Sequence, residues 1–427
     1  MHPQKFTPYE KGVVAVLAFI QFTVILDFMI LSPLGAILMP TLGISASQFG
    51  LVVSVYALSA GASGLLAAGF ADRFDRKKLL VFFYSGFVLG TLLCGMATSY
   101  PLLLAARMVT GIFGGVIGSV VFAITTDLFP LQMRGRVMGI IQTAFASSQV
   151  FGLPLGLFLA THWGWHFPFW FIAAISAVVG LWFARYLKPI NAHLQLHPDR
   201  HPMHHLVHTL SRPFYQVVYV MTALLTMGGF LLMPFGSAYT VNNLKVSLQD
   251  LPIVYVATGL CSMAAGPVIG RLCDSVGKFS VFMVATFWCM FMVTLYTHLG
   301  PTPLWLLVLV NTLLFLGISS RIISSSALVS AVPTPMDRGA FMAINASLQQ
   351  IAGGIASGVA GLIVVQDASG RLEHYDRLGF LVMVAMAITI GMLFYVNRVL
   401  VQRAEREGQA VRREGSPEPF PSRKLGG

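Results

Sequence analysis

The sequence predicts an all-α membrane protein with twelve transmembrane helices in two pseudo-symmetric bundles of six. Three observations predict this fold: the composition, the number of long apolar runs, and a loop that occurs twice. Of the 427 residues, 56% are hydrophobic and 10% are charged, and the mean hydropathy is +0.77. A soluble domain carries about 25% charged residues, and a single aqueous core stops growing at about 250–300 residues. We therefore expect the lipid bilayer to be part of the solvent of this chain.

Twelve stretches of the chain are apolar and long enough to cross a membrane as helices. Such a helix needs about 20 apolar residues. Several stretches are longer than a perpendicular crossing requires, which permits tilt. The predicted spans, numbered 1 to 12 in chain order, are residues 13–39, 48–71, 79–98, 101–129, 135–160, 168–187, 214–241, 251–273, 279–299, 303–332, 338–366 and 378–400.

The basic residues fall almost entirely on one side of the predicted bundle. With the N-terminus inside, the outside loops hold only Lys245, Arg371 and Arg377. Lysine and arginine accumulate in cytoplasmic loops, so we expect both termini in the cytoplasm and the chain in the inner cell membrane. The net charge of +11 does not indicate nucleic-acid binding, because these residues lie in short loops between apolar runs rather than on one soluble face.

The longest inside connection, residues 188–213, divides the chain into an N-terminal bundle, residues 1–187, and a C-terminal bundle, residues 214–401. Residues 402–427 are polar and lack periodicity, and we expect a disordered cytoplasmic tail there.

The inside connection is rich in histidine. Four of these histidines are spaced four residues apart, which on a helix would suit a metal site. Pro198 and Pro202 interrupt such a helix, and no cysteine joins the cluster. We therefore favour a solvated loop over a zinc site and expect no bound metal. The histidines are His193, His197, His201, His204, His205 and His208.

The two halves carry related loops. The loop after predicted span 2 aligns with the loop after span 8 when Asp72 is placed on Asp274, an offset of 202 residues. The Arg-Gly pairs that begin at Arg134 and Arg338 align at an offset of 204. Two matches in nearly the same register indicate a duplication. Because each repeat has an even number of spans, the repeats are expected to be related by an axis along the membrane normal, with a substrate cavity between them near the midplane.

Residues 68–77 read Ala-Gly-Phe-Ala-Asp-Arg-Phe-Asp-Arg-Lys, which resembles the signature loop of the major facilitator superfamily. In span 4, Arg107 is followed by glycines at 111, 114 and 115, similar to the helix-4 motif of that family. The resemblance extends over residues 13–400. It departs from the family pattern at Ala68 and Asp75, where glycine is usual.

Predicted span 5 carries Gly152, Pro154 and Gly156, similar to the helix-5 motif of proton-coupled exporters of this family. The Gly-Trp pair at 164–165 resembles the drug and sugar efflux branch, except that His166 replaces the usual arginine. Proline removes a helical hydrogen bond and glycines allow a neighbouring helix to approach closely. Those physical effects give no direction of transport, so only the resemblance implies export.

The resemblance implies that the signature loop closes the cytoplasmic side and stabilises one of two conformations. Asp72 can accept backbone N–H bonds at a helix N-terminus, which the resemblance implies is that of span 11, near Asp337-Arg338. A plain basic anchor is the alternative. The residues predicted for this switch are Asp72, Arg73, Arg76 paired with Asp127, and in the second copy Asp274 and Gly277.

Three charged residues lie well inside predicted spans: Asp27, Arg107 and Arg321. Each costs at least about 2.5–3.5 kcal/mol at the bilayer centre, so each should face a cavity or another charge. Asp27 lies about 21 Å along its helix, close to mid-membrane, where a carboxylate can either load and release a proton or form a structural ion pair. The family pattern implies a role of Arg107 in proton coupling or cavity polarity. Two arginines against one aspartate favour an anionic or amphoteric solute over a neutral one.

Other polar residues inside spans either line the cavity or form hydrogen bonds between helices. Their positions in the sequence do not show which of these two roles each one has. The resemblance implies that spans 1, 4, 7 and 10 line the cavity. The lining candidates are Gln21, Gln142, Gln149, Tyr239, Asn311 and Asn345.

The sequence therefore predicts a secondary active transporter, either a proton-coupled exporter of a small organic solute or drug, or an importer or facilitator for a sugar or organic anion. No Walker A loop is present, which argues against ATP-driven pumping, and neither H-E-x-x-H nor G-x-S-x-G occurs, which argues against an intramembrane enzyme. We expect a monomer that needs no cofactor beyond the proton gradient.

Overall fold

The structure is a computed structural model that describes residues 6–191, 194, 202–334 and 336–414, apart from the side chains of 68, 72, 131, 202–204, 404 and 406–414. Twelve helices in this part of the chain are long and apolar enough to cross a membrane. We number them span 1 to span 12. They are Pro8–Leu42, Ala46–Ala67, Arg76–Met96, Tyr100–Leu128, Gln132–Trp163, Phe167–Tyr186, Pro213–Asn242, Leu248–Val276, Lys278–Thr297, Leu304–Val329, Arg338–Ile363 and Tyr375–Arg403.

The ends of the spans define two faces of the bundle. We call the face with the connections 69–75, 129–130, 187–212 and 330–337 the basic face, since most of the basic residues lie in these connections or in the span turns next to them. The opposite face holds the connections from each odd-numbered span to the even-numbered span that follows it. It also holds a two-stranded antiparallel hairpin between spans 11 and 12, formed by β1, Val365–Gln366, and β2, Leu372–Glu373.

Local sequence signals set where the first spans begin. Thr7 caps span 1 by accepting a bond from the backbone N–H of Glu10, while the Glu10 side chain accepts from the backbone N–H of Thr7. Ser45 and Gln48 repeat this capping box at the start of span 2. A capping box satisfies backbone donors that the helix itself leaves unpaired.

Spans 5 and 7 are not continuous α-helices. Span 5 consists of an α-helix, Leu131–Ser147, a π-helical turn, Ser148–Gly152, and a second α-helix, Leu153–Trp163. Span 7 contains a 3-10 turn, Met233–Phe235, which includes Pro234. Proline removes a backbone donor and crowds the preceding turn, which accounts for the interruption of both helices.

The largest apolar cluster is shared by the two halves and lies near the opposite face. It combines Leu34, Phe49 and Phe169 of the first half with Phe235 and Val382 of the second. Towards the basic face each half has its own core. The N-terminal cluster is built from spans 1 to 6, and the C-terminal cluster from spans 7, 9, 10, 11 and 12 with the linker. Leu65 of span 2 packs against the C-terminal cluster. Among the described residues, the bundles are therefore packed together at the opposite face and have separate cores at the basic face.

Spans 2 and 11 join the two halves through small residues. A Cβ atom added to Gly50 would lie 2.8 Å from the carbonyl oxygen of Ser357 and 2.9 Å from Cα of Gly361. Nearer the basic face, a Cβ atom at Gly64 would lie 2.8 Å from the hydroxyl of Ser347. Small residues let membrane helices approach backbone to backbone, so this seam runs along most of both spans.

The last helix extends further than the sequence predicts. It runs through Glu414, so the expectation of a disordered tail from 402 onward is wrong for residues up to Glu414. The segment is rich in Ala, Glu, Gln and Arg, which are strong helix formers, and it contains no proline before Pro417. Residues 415–427 lie outside the described part.

The inside connection contains a short helix, Pro202–Leu210, which we call the linker helix. Pro202 occupies its first position, where the missing N–H of proline is tolerated. His193, His197 and His201, together with the side chain of His204, lie outside the described residues.

The close packing of span 4 on span 2 predicts a strong effect of one added methyl group. A Cβ atom at Gly115 would lie 2.2 Å from the carbonyl oxygen of Ala60. We expect Gly115→Ala to destabilise the purified protein by about 1–3 kcal/mol, the usual cost of overpacking, and to lower its thermal unfolding temperature in detergent. Gly391→Ala in span 12 meets no atom within 4 Å and is the matched control. Equal unfolding temperatures for both variants would contradict this packing.

Candidate functional site: a buried ion pair between spans 1 and 4

The structure brings two of the three predicted intramembrane charges together. Nη1 of Arg107 lies 2.8 Å from Oδ2 of Asp27, and it also lies 3.3 Å from the Asp27 carbonyl oxygen. The other carboxylate oxygen of Asp27 accepts a bond of 3.0 Å from the Thr91 hydroxyl of span 3. Asp27 is 0% exposed and Arg107 1%. The charges therefore neutralise each other inside the N-terminal bundle.

The span 4 glycines explain how Arg107 reaches this position. A Cβ atom at Gly111 would lie 2.4 Å from the carbonyl oxygen of Tyr56 in span 2, so only glycine permits this approach. The close contact places the Arg107 guanidinium 4.3 Å from the centre of the Tyr56 ring. An arginine over an aromatic face gains a cation–π attraction that is strongest where water is excluded. The helix-4 motif thus positions one side chain.

The span 5 motif packs against the same segment of span 1. A Cβ atom at Gly152 would lie 2.6 Å from the Leu26 side chain, and one at Gly156 would lie 2.4 Å from that of Ile30. Pro154 is the second residue of the second helix of span 5, which directly follows the π-helical turn. The motif residues therefore support span 1 on both sides of Asp27. Such turns within a helix are frequent at functional sites.

Arg321 is not part of this site. Its Nε donates to the Thr286 hydroxyl of span 9 at 3.1 Å, and one Nη lies 3.4 Å from the Thr389 hydroxyl of span 12. The guanidinium also lies 5.4 Å from the centre of the Phe282 ring. All these contacts lie within the C-terminal bundle, and no acidic side chain of the described residues lies within 4.0 Å. Arg321 is thus a buried cation held by neutral groups.

Two of the predicted lining residues instead form hydrogen bonds within the C-terminal bundle. The Tyr239 hydroxyl donates to the Thr297 and Leu299 carbonyl oxygens, at 3.1 and 3.0 Å, where span 9 ends. Asn345 accepts a bond of 2.6 Å from the Thr222 hydroxyl. Both residues are buried.

The other lining candidates retain some exposure. Gln142 is exposed, and Gln21, Gln149 and Asn311 are half-buried. The side-chain oxygen of Gln21 is buried without a hydrogen-bond partner among the described residues, and the side chain lies opposite Gly118 of span 4. The Gln21 side-chain oxygen is therefore a buried acceptor of span 1 that lacks a hydrogen-bond donor among the described residues.

At the basic face, the expected ion pair of the loop between spans 2 and 3 is present. Nε of Arg76 lies 3.0 Å from Oδ2 of Asp127, and Nη1 lies 3.0 Å from the Ala71 carbonyl oxygen. Asp75 accepts from the backbone N–H of Lys77 at 2.8 Å and so caps span 3. The departure from the family pattern at Asp75 therefore gives span 3 a helix cap.

Three other predicted residues of the switch show no such pairing. Arg73 and Asp274 are exposed, with no hydrogen bond or ion pair to the described side chains. Gly277 has φ of 102° and forms the one-residue turn between spans 8 and 9, a conformation that favours glycine. The side chain of Asp72 lies outside the described residues.

Sequence reasoning named Asp337 only as a neighbour of Asp72, whereas the structure makes it the centre of a polar cluster. Its Oδ2 accepts from the Tyr215 hydroxyl at 3.0 Å and the Thr334 hydroxyl at 2.8 Å, and it lies 2.7 Å from Nη1 of Arg212. Nε2 of His205, on the linker helix, lies 3.9 Å from Oδ1. Asp337 thereby ties the start of span 7 and the linker helix to the start of span 11. The position of an acidic residue directly before a predicted helix was the signal available in the sequence.

Comparison with known proteins gives one family. The model of the Major Facilitator Superfamily matches the chain twice, over residues 17–228 and 218–425. Among curated relatives, the uncharacterized MFS-type transporter YceJ of Bacillus subtilis is 25% identical over 270 residues, which is 62% of this chain and 67% of that protein. Multidrug resistance protein 3 of the same organism is 30% identical over 149 residues, 35% of this chain and 29% of that protein. The alignment therefore spans less than a third of the second relative.

A solved structure shares the fold. The crystal structure of a bacterial homolog to the human lysosomal transporter Spinster, in an inward-facing and unoccupied conformation, has a TM-score of 0.73 at 16% identity. The match covers 93% of this chain and 99% of that chain. At this identity the likeness is one of fold.

The buried ion pair predicts non-additive effects of substitution. Replacing one partner leaves the other as an uncompensated buried charge, which costs about 3–5 kcal/mol. We expect Arg107→Met to lower the thermal unfolding temperature of the purified protein strongly, and Asp27→Asn combined with Arg107→Met to recover a large part of that loss. Arg321→Met combined with Asp27→Asn is the control pair, since these residues do not touch. Additive effects in the first pair would contradict the contact.

The polar cluster at Asp337 predicts a pH-dependent contribution to stability. Burial raises the pKa of Asp337, but the hydrogen bonds from Thr334 and Tyr215 and the charges of Arg212 and His205 outweigh burial and hold this pKa below its usual value. A carboxyl with a lowered pKa stabilises the folded state above its unfolded pKa of about 3.9 and loses that contribution as pH falls further. Asp337→Asn should therefore unfold at lower temperature than the parent near pH 7. The difference should shrink below about pH 4; a difference that stays constant there would exclude the charged form as its source.

Proposed function

The chain belongs to the Major Facilitator Superfamily and is a multi-pass membrane transporter, and we propose that it exports a small organic solute or drug in exchange for protons. It acts as a monomer in the inner cell membrane, with the basic face and both termini towards the cytoplasm. The observation that carries the proposal is the buried pair of Asp27 and Arg107, 2.8 Å apart. Among the described residues, Asp27 is the one carboxylate that lies far from both ends of a span.

A buried carboxylate paired with arginine is suited to couple a proton to a conformational change. A proton that binds Asp27 removes the negative charge of the pair and leaves Arg107 as a buried cation. Such a cation costs several kcal/mol until it reaches water or another anion. Protonation thus favours an arrangement in which span 4 moves relative to span 1, and deprotonation restores the pair. A two-state element of this kind is what alternating access requires.

The packing of the two bundles supports an inward-facing conformation. The Ser237 hydroxyl of span 7 donates to the Ser32 carbonyl oxygen of span 1 at 2.9 Å, and Phe28 and Phe230 lie 5.6 Å apart between ring centres. These contacts close the route towards the opposite face. The separate cores at the basic face let residues 1–187 and 214–401 part there as rigid bodies, joined by 188–213. A solute would then enter from the cytoplasm, which is the loading side of an exporter.

The loop between spans 2 and 3 is the proposed lock of the other conformation. Arg76 and Asp127 already form their ion pair within the N-terminal bundle. Closure of the cytoplasmic side brings that bundle against the start of span 11, where Asp337 lies. We assign Asp72, Arg73, Asp274 and Gly277 to this movement on the resemblance alone.

Export in exchange for protons predicts the sign of the gradient that drives transport. A screen of thermal stability against drugs, sugars and organic anions at two pH values selects the solute to be tested. In proteoliposomes with that solute outside, antiport should give accumulation when the interior is acidic, because protons leave as the solute enters. Import with protons would instead require an acidic exterior. Accumulation driven only by an acidic exterior would contradict export.

The proposed role of Asp27 predicts a specific defect. Asp27→Asn should abolish accumulation driven by the pH gradient, while gradient-free exchange of labelled for unlabelled solute continues. Asp250→Asn, at the start of span 8, is the control and should behave as the parent. An Asp27→Asn protein that keeps the dependence on the pH gradient would remove Asp27 from proton coupling.

A further inference from the structure

An apolar groove runs down the outer surface of span 3, on the side of the N-terminal bundle away from the ion pair. It has a volume of about 660 Å³. Span 3 forms its floor with residues spaced by three or four positions, which places them on one helix face. Phe113 of span 4 and Ala184 of span 6 form its sides. The span 3 residues are Val81, Phe82, Ser85, Gly86 and Leu89.

The shape of the groove depends on Gly86. A Cβ atom at this position would lie 2.3 Å from Cδ1 of Phe113, so the ring lies directly against the span 3 backbone. Phe82 packs edge-on against the same ring, with 5.7 Å between ring centres, and is 62% exposed. The groove is thus an ordered surface that faces outward from the bundle.

Two lysines close the groove at the basic face. Lys77 and Lys78 lie in the first turn of span 3 and line the end of the groove. Asp75 accepts from the backbone N–H groups of both lysines, at 2.8 and 3.4 Å, and not from their ammonium groups. No acidic group among the described side chains lies within 4.0 Å of either ammonium. The two positive charges therefore face the level of the membrane surface.

The length of the groove corresponds to one leaflet. From Lys78 to Leu89 a helix rises about 16 Å, and half of the hydrocarbon layer is about 15 Å thick. A ligand that fits both ends carries a negative headgroup and an apolar chain of that length. Inorganic phosphate could pair with the two lysines but would leave the apolar floor of the groove uncovered.

We infer that this groove binds one anionic phospholipid from the leaflet at the basic face, with its phosphate between Lys77 and Lys78 and an acyl chain along Phe82, Gly86 and Leu89. Basic residues near the membrane surface attract anionic headgroups by about 1 kcal/mol each. The bound lipid contacts the first turn of span 3 through Lys77 and Lys78, next to the loop between spans 2 and 3. This site is separate from the transported solute and from Asp27.

The inference is tested on the full chain purified in detergent, with lipid binding measured by native mass spectrometry. Phosphatidylglycerol should bind at one saturable site more tightly than phosphatidylcholine with the same acyl chains. Lys77→Gln combined with Lys78→Gln should weaken that site about 30-fold, the equivalent of about 1 kcal/mol for each lysine. Lys11→Gln combined with Lys278→Gln removes the same charge elsewhere at the basic face and should leave the site intact. Equal losses in both double variants would overturn the inference in favour of non-specific attraction.

A second pair of variants tests the acyl chain. Ser85→Trp fills the groove without changing charge and should abolish the tight site, whereas Val178→Trp on the exposed face of span 6 should not. Inorganic phosphate in large excess should fail to displace the lipid. Unchanged phosphatidylglycerol binding by Ser85→Trp, or displacement by phosphate alone, would show that the lysines bind phosphate without a lipid tail and would overturn the proposal. Thermal unfolding of each variant without lipid verifies that it is folded.

Discussion

The ion pair of Asp27 and Arg107 compensates two charges inside the N-terminal bundle, where each alone would be costly. A single charge inside a membrane bundle costs several kcal/mol, so the arrangement of spans 1 to 5 has to keep these two groups together. The Thr91 hydroxyl donates to the second carboxylate oxygen of Asp27, and Gly111 lets span 4 approach span 2 closely enough for the Arg107 side chain to reach Asp27. Gly152 lets span 5 approach span 1 closely at Leu26, next to Asp27. The helix-4 and helix-5 motif residues therefore hold spans 1, 2, 4 and 5 together around this one ion pair.

The distribution of apolar contacts complements this charge pair. One cluster joins the halves near the opposite face, while each half has a core of its own near the basic face. A bundle with its own core can part from its partner without losing its internal packing, whereas the seam of small residues between spans 2 and 11 keeps the halves in contact. Close-packed interfaces switch between discrete arrangements rather than deform continuously. Rocking of two rigid halves is the motion that such a distribution permits.

The basic face gathers the remaining polar interactions. Arg76 and Asp127 pair beside the loop between spans 2 and 3, and Asp337 binds groups from span 7 and the linker helix. Lys77 and Lys78 are at the same level, at the end of an outward-facing groove. Charged groups here lie at the edge of the hydrocarbon, where water and headgroups lower their cost. The Arg76–Asp127 ion pair, the Asp75 helix cap and the two lysines of the groove consequently share one short stretch of chain, residues 75–78.

The sequence by itself determined the twelve spans, their division into two repeats and the depth of each buried charge, because hydrocarbon thickness sets helix length and every charge in an apolar run stands out. Span 1 was predicted at 13–39 and is Pro8–Leu42. Only the tertiary structure decided which charges meet. A span that is apolar almost all round gives no signal of which way a given side chain faces, so Arg107 and Arg321 were equal candidates for Asp27. The hydrogen bonds of Tyr239 and Asn345 could not be predicted for the same reason, because they depend on helix rotation and on distances between residues far apart in the chain.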